Sequence, residues 1–264
     1  MNKVKIDINE FIKEYLKKPI SIGEISKKFN ICTVTASRIL KANNCKIYTR
    51  QDLNLENLKI DFFKNIDTEE KAYLLGLFVT DGCVFKHSNE SLQFSIALQE
   101  QDVYMIKNIK HILNISRNIV VDSRSRNNCY SIAITNNNFV NDLINHGIYI
   151  GKENRRFIKL EGPFMSHYLR GILDGDGSIY FRKKKNSISF NIVFAGNLIF
   201  MQELKNFLIN RLDVANNKLC FEQGIYTLRF ASRRDYFNIT DYIYQDSTIY
   251  LKRKKDKYLK SKIL

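Results

Sequence analysis

Two short segments of this 264-residue chain place an acid and a glycine in the same frame. The first runs Tyr73-Leu74-Leu75-Gly76-Leu77-Phe78-Val79-Thr80-Asp81-Gly82 and the second Tyr168-Leu169-Arg170-Gly171-Ile172-Leu173-Asp174-Gly175-Asp176-Gly177. Gly76 and Gly171, Asp81 and Asp176, and Gly82 and Gly177 are each 95 positions apart. A single Asp-Gly after an apolar run marks nothing more than a helix end. A pair brought side by side could do chemistry, because two carboxylates with phosphate oxygens match the hard-oxygen preference of a divalent cation such as Mg²⁺ or Mn²⁺. Ions held there could activate a water and stabilise the leaving oxygen of an in-line attack on phosphorus.

The flanking pattern says what must position these acids. Each segment reads as a helix, the first opened by a capping box at Asp67-Thr68-Glu69-Glu70 and the second by Gly162-Pro163. Glycine inside a helix costs about 0.5–1 kcal/mol relative to alanine, so Gly76, Gly171 and Gly175 need a reason. Close helix packing supplies one, since Gly76 with Thr80 and Gly171 with Gly175 are small residues one turn apart. Gly82 and Gly177 would end the helices, leaving Asp81 and Asp176 at negative dipole ends, where a cation would offset the repulsion.

The likeness continues downstream. Leu92, Phe94 and Ile96 alternate with polar residues as Ile188, Phe190 and Ile192 do, and Tyr130, Ile132 and Ile134 match Tyr226, Leu228 and Phe230. The expected fold class is α+β, with two pseudo-symmetric αββαββα halves at residues 67–161 and 162–264.

LLGLFVTDG and LRGILDGDG resemble the two LAGLIDADG motifs of single-chain homing endonucleases, and the resemblance covers residues 67–264. It implies a saddle of antiparallel strands on double-stranded DNA, with a divalent metal held by Asp81 and Asp176 beneath the minor groove. Thr80 and Gly175 join them as metal-site residues, and both strands are cut to leave short cohesive ends. It implies a monomer with internal pseudo-twofold symmetry, and a lysine near the end of each half that steadies water and phosphorane charge. Matching residues 149–152 to 251–254 nominates Lys152 and Lys254. The first motif departs from the pattern, carrying Val79 where the second keeps Asp174.

Upstream, residues 1–47 read as three short helices. Ser21 and Glu24 form a capping box, Ile22, Ile25 and Phe29 a buried stripe, and Asn30-Ile31-Cys32 a turn into Thr33–Ala42. That last helix buries Ala36, Ile39 and Leu40 and offers Thr33, Val34, Ser37, Arg38 and Lys41 on its other side, as a recognition helix would to a major groove. FNICTVTASRIL resembles resolvase-like helix-turn-helix domains. Residues 48–66 are polar and aperiodic, which suits a linker.

Composition agrees with a polyanionic partner. Lys plus Arg number 42 against 27 Asp plus Glu, a net charge of +15. Strand residues opposite the apolar set would face DNA, namely Gln93, Ser95, Ser187, Ser189, Asn191, Thr227 and Arg229. Arg124, Arg126 and the run Arg182-Lys183-Lys184-Lys185 would extend the contacts along the backbone. The basic run from Lys252 to Lys262 suits either phosphate contact or packing of a last helix. Five scattered cysteines and four histidines show no ligand spacing, which argues against a zinc site and for reduced thiols. No segment reads as a secretory signal or membrane span, so a cytoplasmic protein is expected. The rival readings are an RNA maturase or DNA-binding regulator that kept the fold without cleavage. An intein would need splicing blocks for which Met1 and the helix-turn-helix leave no room.

Overall fold

The computed structural model describes residues 6–17, 20–48, 58–124, 128–185 and 187–264, with Lys184 described by its backbone alone. By its contacts the chain divides into two units, residues 1–59 with 113–117, and residues 60–112 with 118–264. Residues 49–57 of the expected linker, about half of it, lie outside the described residues.

The first unit holds α1 (Ile8–Lys17), α2 (Ile22–Lys28) and α3 (Thr33–Ala42) around buried Phe11, Tyr15, Ile25, Ala36 and Leu40. The Ser21–Glu24 capping box is complete: Glu24 N–H donates to Ser21 Oγ at 3.0 Å, and Ser21 N–H donates to the Glu24 carboxylate at 2.8 Å. Asn30 takes a left-handed conformation (φ 49°), which lets the chain turn tightly between α2 and α3.

The second unit repeats one motif. Its first half is α4 (Glu69–Asp81), β1 (Gly82–Lys86), β2 (Leu92–Gln99), α5 (Val103–Ile112), β3 (Val120–Asp122), β4 (Cys129–Thr135) and α6 (Asn137–Asn145). The second half is α7 (Met165–Asp176), β5 (Ser178–Lys184), β6 (Ser187–Gly196), α8 (Leu198–Leu212), β7 (Cys220–Glu222), β8 (Ile225–Phe230) and α9 (Arg233–Tyr244), followed by α10 (Lys252–Lys262). Each half folds its strands into a four-stranded antiparallel sheet, ordered β1-β2-β4-β3 and β5-β6-β8-β7. The α+β class and the doubled αββαββα order therefore stand as read from the sequence.

Strand alternation decides which face of each sheet is covered. Phe94, Ile96 and Leu98 of β2 and Phe190, Ile192 and Phe194 of β6 are buried. The ladders correct one detail of the repeat. Val84 pairs with Phe94 and Ile179 with Ile192, so the structural counterpart of Phe94 is Ile192, not Phe190. The β5–β6 hairpin is longer, and a two-residue shift preserves the alternation, so the pattern alone could not reveal it.

α4 is buried from Ala72 to Thr80 without a break, as expected of a helix that is apolar all round. Thr68 caps it by accepting from Lys71 N–H at 3.3 Å. The expected capping box at residues 67–70 is not closed, because the third helical residue is Lys71, and Lys71 pairs with Asp67 at 2.7 Å. At α7 the Pro163 turn, Gly162–Phe164, leads directly into the helix. None of the helices described is long and apolar enough to cross a membrane.

Candidate functional site

α4 and α7 meet along a seam from which side chains have been removed. A Cβ added at Gly76 would lie 3.0 Å from Gly171 Cα, and one at Gly171 would lie 2.6 Å from Leu77 N and 2.8 Å from Gly76 Cα. These neighbours are backbone and cannot swing aside. Toward the C-terminal ends, a Cβ at Gly175 would lie 2.6 Å from Thr80 Cβ and 3.2 Å from Asp81 Oδ2. The carboxylate that ends α4 therefore lies against the last turn of α7, whose own last residue is Asp176. The seam brings together Thr80, Asp81, Gly175 and Asp176.

The electrostatics of this junction are unfavourable to its acids. Asp81 is pushed up to about 6, first by burial and then by the negative charge of Asp176, against the pull of Lys254, Lys152 and Arg155. Asp176 stays accessible to solvent, yet the surrounding protein displaces enough water to raise its carboxyl too, opposed by Lys152, Arg155 and Lys254. Such a pair stores repulsion that a cation relieves. Among the described residues no three His, Cys, Asp or Glu side chains cluster as a metal site. A cation here would rest on two carboxylates, with water and substrate oxygens completing its shell, the pattern Mg²⁺ commonly adopts.

Three cations surround the acids, in different ways. Lys254 is buried, and its ammonium donates to the carbonyls of Leu173, Asp174, Gly177 and Gly175 at 2.5, 2.5, 2.8 and 3.3 Å. It closes the C-terminal end of α7, and burial holds it down to about 8 despite the nearby charge of Asp174. At the end of α4 the same place is taken by Arg155, whose guanidinium donates to the Thr80 and Gly82 carbonyls. Those residues are the repeat counterparts of Gly175 and Gly177. By its partners, then, Arg155 is the counterpart of Lys254, and sequence reading missed it. Only a basic doublet, Arg155-Arg156, hinted at it. The carbonyls of Thr80 and Gly175 are engaged by these cations. Lys152 is exposed and lines a cavity of about 240 Å³ with Thr80, Arg155 and Asp176.

A buried polar network crosses the seam on one side only. Asp174, fully buried, accepts from Tyr73 Oη at 2.9 Å, Leu251 N–H at 2.6 Å and Tyr244 Oη at 3.4 Å. One turn earlier, buried Arg170 donates to the Ile249 carbonyl at 2.8 Å, the Ile243 carbonyl at 2.9 Å and Glu69 Oε1 at 2.5 Å. Glu69 also accepts from Thr248 and Ile249 N–H at 2.7 and 3.2 Å. The first half has Val79 and Leu75 at the counterparts of Asp174 and Arg170. Tyr168, counterpart of Tyr73, consequently has no side-chain acceptor for its buried hydroxyl among the described residues, and is met there only weakly by the Ile158 backbone. Opposite outcomes follow at twin positions. Tyr73→Phe removes a donor from buried Asp174 and lowers unfolding free energy by about 1–3 kcal/mol, whereas Tyr168→Phe is neutral or stabilises by about 1 kcal/mol. Urea unfolding of the two variants checks this, and equal losses would contradict the one-sided network.

The remaining sequence candidates are dispersed over the exposed faces. Opposite the core on the second sheet lie Ser187, Ser189, Asn191, Thr227 and Arg229, with Arg182 on β5. Lys183 is exposed but pairs with Ile188, which puts it on the face of Phe190 and Ile192 rather than with the other candidates. Gln93 and Ser95 occupy that face of the first sheet, where Gln93 Oε1 accepts from Thr135 Oγ1 at 3.3 Å. Arg124 is exposed but paired with Asp122, Nε to Oδ1 at 2.9 Å. Arg126 and the Lys184 side chain lie outside the described residues. In the three-helix unit Thr33, Arg38 and Lys41 are exposed on α3 and Ser37 is half-buried.

Residues 68–156 match the family model of a LAGLIDADG-like domain. The fold is shared with the LAGLIDADG meganuclease I-AabMI, solved bound to uncleaved DNA, at a TM-score of 0.52 and 13% identity over 73% of this chain and 89% of that one. The LAGLIDADG homing endonuclease I-LtrWI, bound to target DNA, matches at 0.53 and 12% identity over 78% and 91%. I-GzeII, in complex with its DNA target, matches at 0.53 and 12% over 73% and 88%. No curated protein sequence matches the chain.

Proposed function

We propose that this chain, which carries a LAGLIDADG-like domain at residues 68–156 and has the LAGLIDADG meganuclease fold, is a site-specific endonuclease that cuts both strands of duplex DNA with divalent metal. One observation carries the reading. Two carboxylates stand at the touching C-terminal ends of a glycine-lined helix pair, both raised by their surroundings, with Arg155, Lys152 and Lys254 close by. Packing alone gives no reason to place two acids at negative helix ends.

Asp81 and Asp176 would hold Mg²⁺ or Mn²⁺, which supplies Lewis-acid stabilisation of the scissile phosphate and its leaving oxygen. Arg155 and Lys254 draw the last carbonyls of α4 and α7 toward themselves, fixing the turns from which the acids project and reducing the negative potential there. Lys152, exposed at the cavity wall, is placed to pair with a phosphate oxygen of the substrate. The outer faces of the two sheets supply backbone and base contacts, and the exposed side of α3 supplies a second contact with the duplex. Because both acids come from one chain, a monomer suffices. The compartment would be intracellular, where such DNA lies.

The deciding experiment incubates purified protein with duplex DNA spanning the uninterrupted form of its own genomic insertion site, with and without Mg²⁺. Metal-dependent cutting of both strands at one position is the expected result. Tight binding without cleavage at any Mg²⁺ or Mn²⁺ concentration would instead support a DNA-binding regulator on this fold.

A further inference from the structure

The two sheets are not equivalent on the face away from the core. In the second sheet, Arg229 Nε donates to Asn191 Oδ1 at 3.0 Å, and its Nη2 donates to Tyr180 Oη. Asn191 Nδ2 in turn donates to Ser189 Oγ at 3.1 Å, and Asn191 is itself buried beneath the arginine. Arg182 stands over the same tyrosine ring at 5.5 Å, and Arg229 at 5.6 Å. Among the described residues, no carboxylate pairs with either arginine. Two guanidinium groups gathered on one ring without an acid leave positive charge for an external anionic or electron-rich partner.

The geometry of the fork matters more than the charge. A guanidinium has five N–H donors. Asn191 takes the Nε donor and Tyr180 takes one on Nη2, which leaves both donors of Nη1 and one of Nη2. Those at the far end of the fork form the parallel pair that meets two acceptors side by side. In a major groove the base edge offering two acceptors to such a pair is guanine, through O6 and N7. The side chain is also restrained at two points, so it gives up little freedom on contact. The strand register identifies the corresponding residues in the first half: Phe85 for Tyr180, Gln93 for Asn191 and Ala133 for Arg229. That half carries no fork.

We propose that Arg229 is a specificity residue that reads one guanine, in the half of the target facing the second sheet, with Asn191 and Tyr180 as its positioning residues. This rests on the reading that the sheet faces meet duplex DNA. The test selects duplexes from a randomised library in metal-free buffer, so that binding is scored without cutting. The wild type should recover a site with an invariant guanine in one half only. Arg229→Ala should reduce preference at that position by about 10- to 100-fold and leave the other positions intact. Arg229→Lys, whose ammonium can still donate to guanine but without the fixed fork, should keep the base and lose part of the preference. Asn191→Ala, with the arginine present, should weaken the same preference. If Arg229→Ala retains the guanine preference, another group reads that base, and if Arg229→Ala weakens all sequences equally, the residue contacts phosphate; either result overturns the inference. A wild type that selects no sequence overturns the functional reading itself, a result distinct from either of these.

Discussion

Gly171→Ala is expected to lower the melting temperature by about 10 °C, although alanine is the better helix former by about 0.5–1 kcal/mol. The added Cβ would lie 2.6 Å from Leu77 N and 2.8 Å from Gly76 Cα, and backbone cannot yield as a flexible side-chain end can. The helices must separate, and every apolar contact along the seam loosens with them. Overpacking of this kind costs about 1–3 kcal/mol where side chains can adjust, and more where they cannot. Gly23 of α2 is the control, since a Cβ there meets nothing nearer than Ser21 Oγ at 3.8 Å. Alanine at 23 should be neutral or stabilising. Thermal unfolding followed by circular dichroism measures both, and a Gly171→Ala protein as stable as the wild type would mean that α4 and α7 are not in backbone contact.

Asp81→Asn and Asp176→Asn are each expected to reduce DNA cleavage by about 10³-fold or more, since a metal bridging to phosphate supplies several kcal/mol of transition-state stabilisation. Metal-free DNA affinity should be unchanged or slightly higher, because a negative charge facing phosphate is removed. Stability should move the other way from activity. Asp81 has a folded-state value of about 6, above the ordinary carboxylate value, so folding favours its protonated form. Its contribution to stability is fully present below pH about 4 and is lost as pH rises through about 6. The asparagine avoids that loss. In metal-free buffer at pH 8 Asp81→Asn should therefore be the more stable protein, by about 2 kcal/mol, with the difference vanishing as pH falls toward 4. Denaturant unfolding across pH 4–8 reads this directly. A variant that loses stability at pH 8 would mean that the neighbouring cations stabilise the ionised Asp81, and one that still cuts would remove Asp81 from the metal-holding role.

Much of this architecture is legible in the residues, and the parts that are not have physical reasons. The doubled Asp-Gly frame fixes the repeat, because glycine at Gly76 and Gly171 and the chain turns at Gly82 and Gly177 are demanded by backbone approach, which few residues satisfy. The Ser21–Glu24 box is legible because both of its arms are local. The counterpart of Lys254 is not legible, since nothing in linear order says that Arg155, rather than Lys152 three residues earlier, reaches the Thr80 and Gly82 carbonyls. The hairpin offset that pairs Phe94 with Ile192 is invisible for a different reason, that alternation has period two and repeats itself under that shift. Val79 reads as a departure from the second motif, but its effect on the Tyr168 hydroxyl depends on the crossing of two helices far apart in sequence.

The one-sided network also sets how the halves may combine. Glu69 and Tyr73 of the first half require Arg170 and Asp174 of the second, and the stretch from Thr248 to Leu251 is tied to both helices at once. Two copies of the first half would set Glu69 against Leu75 and Tyr73 against Val79, stranding a half-buried carboxylate and a buried phenol with no answering group. Duplication has thus become irreversible in this molecule: the moieties are no longer interchangeable, and their covalent fusion ensures that each always finds the unlike mate it needs.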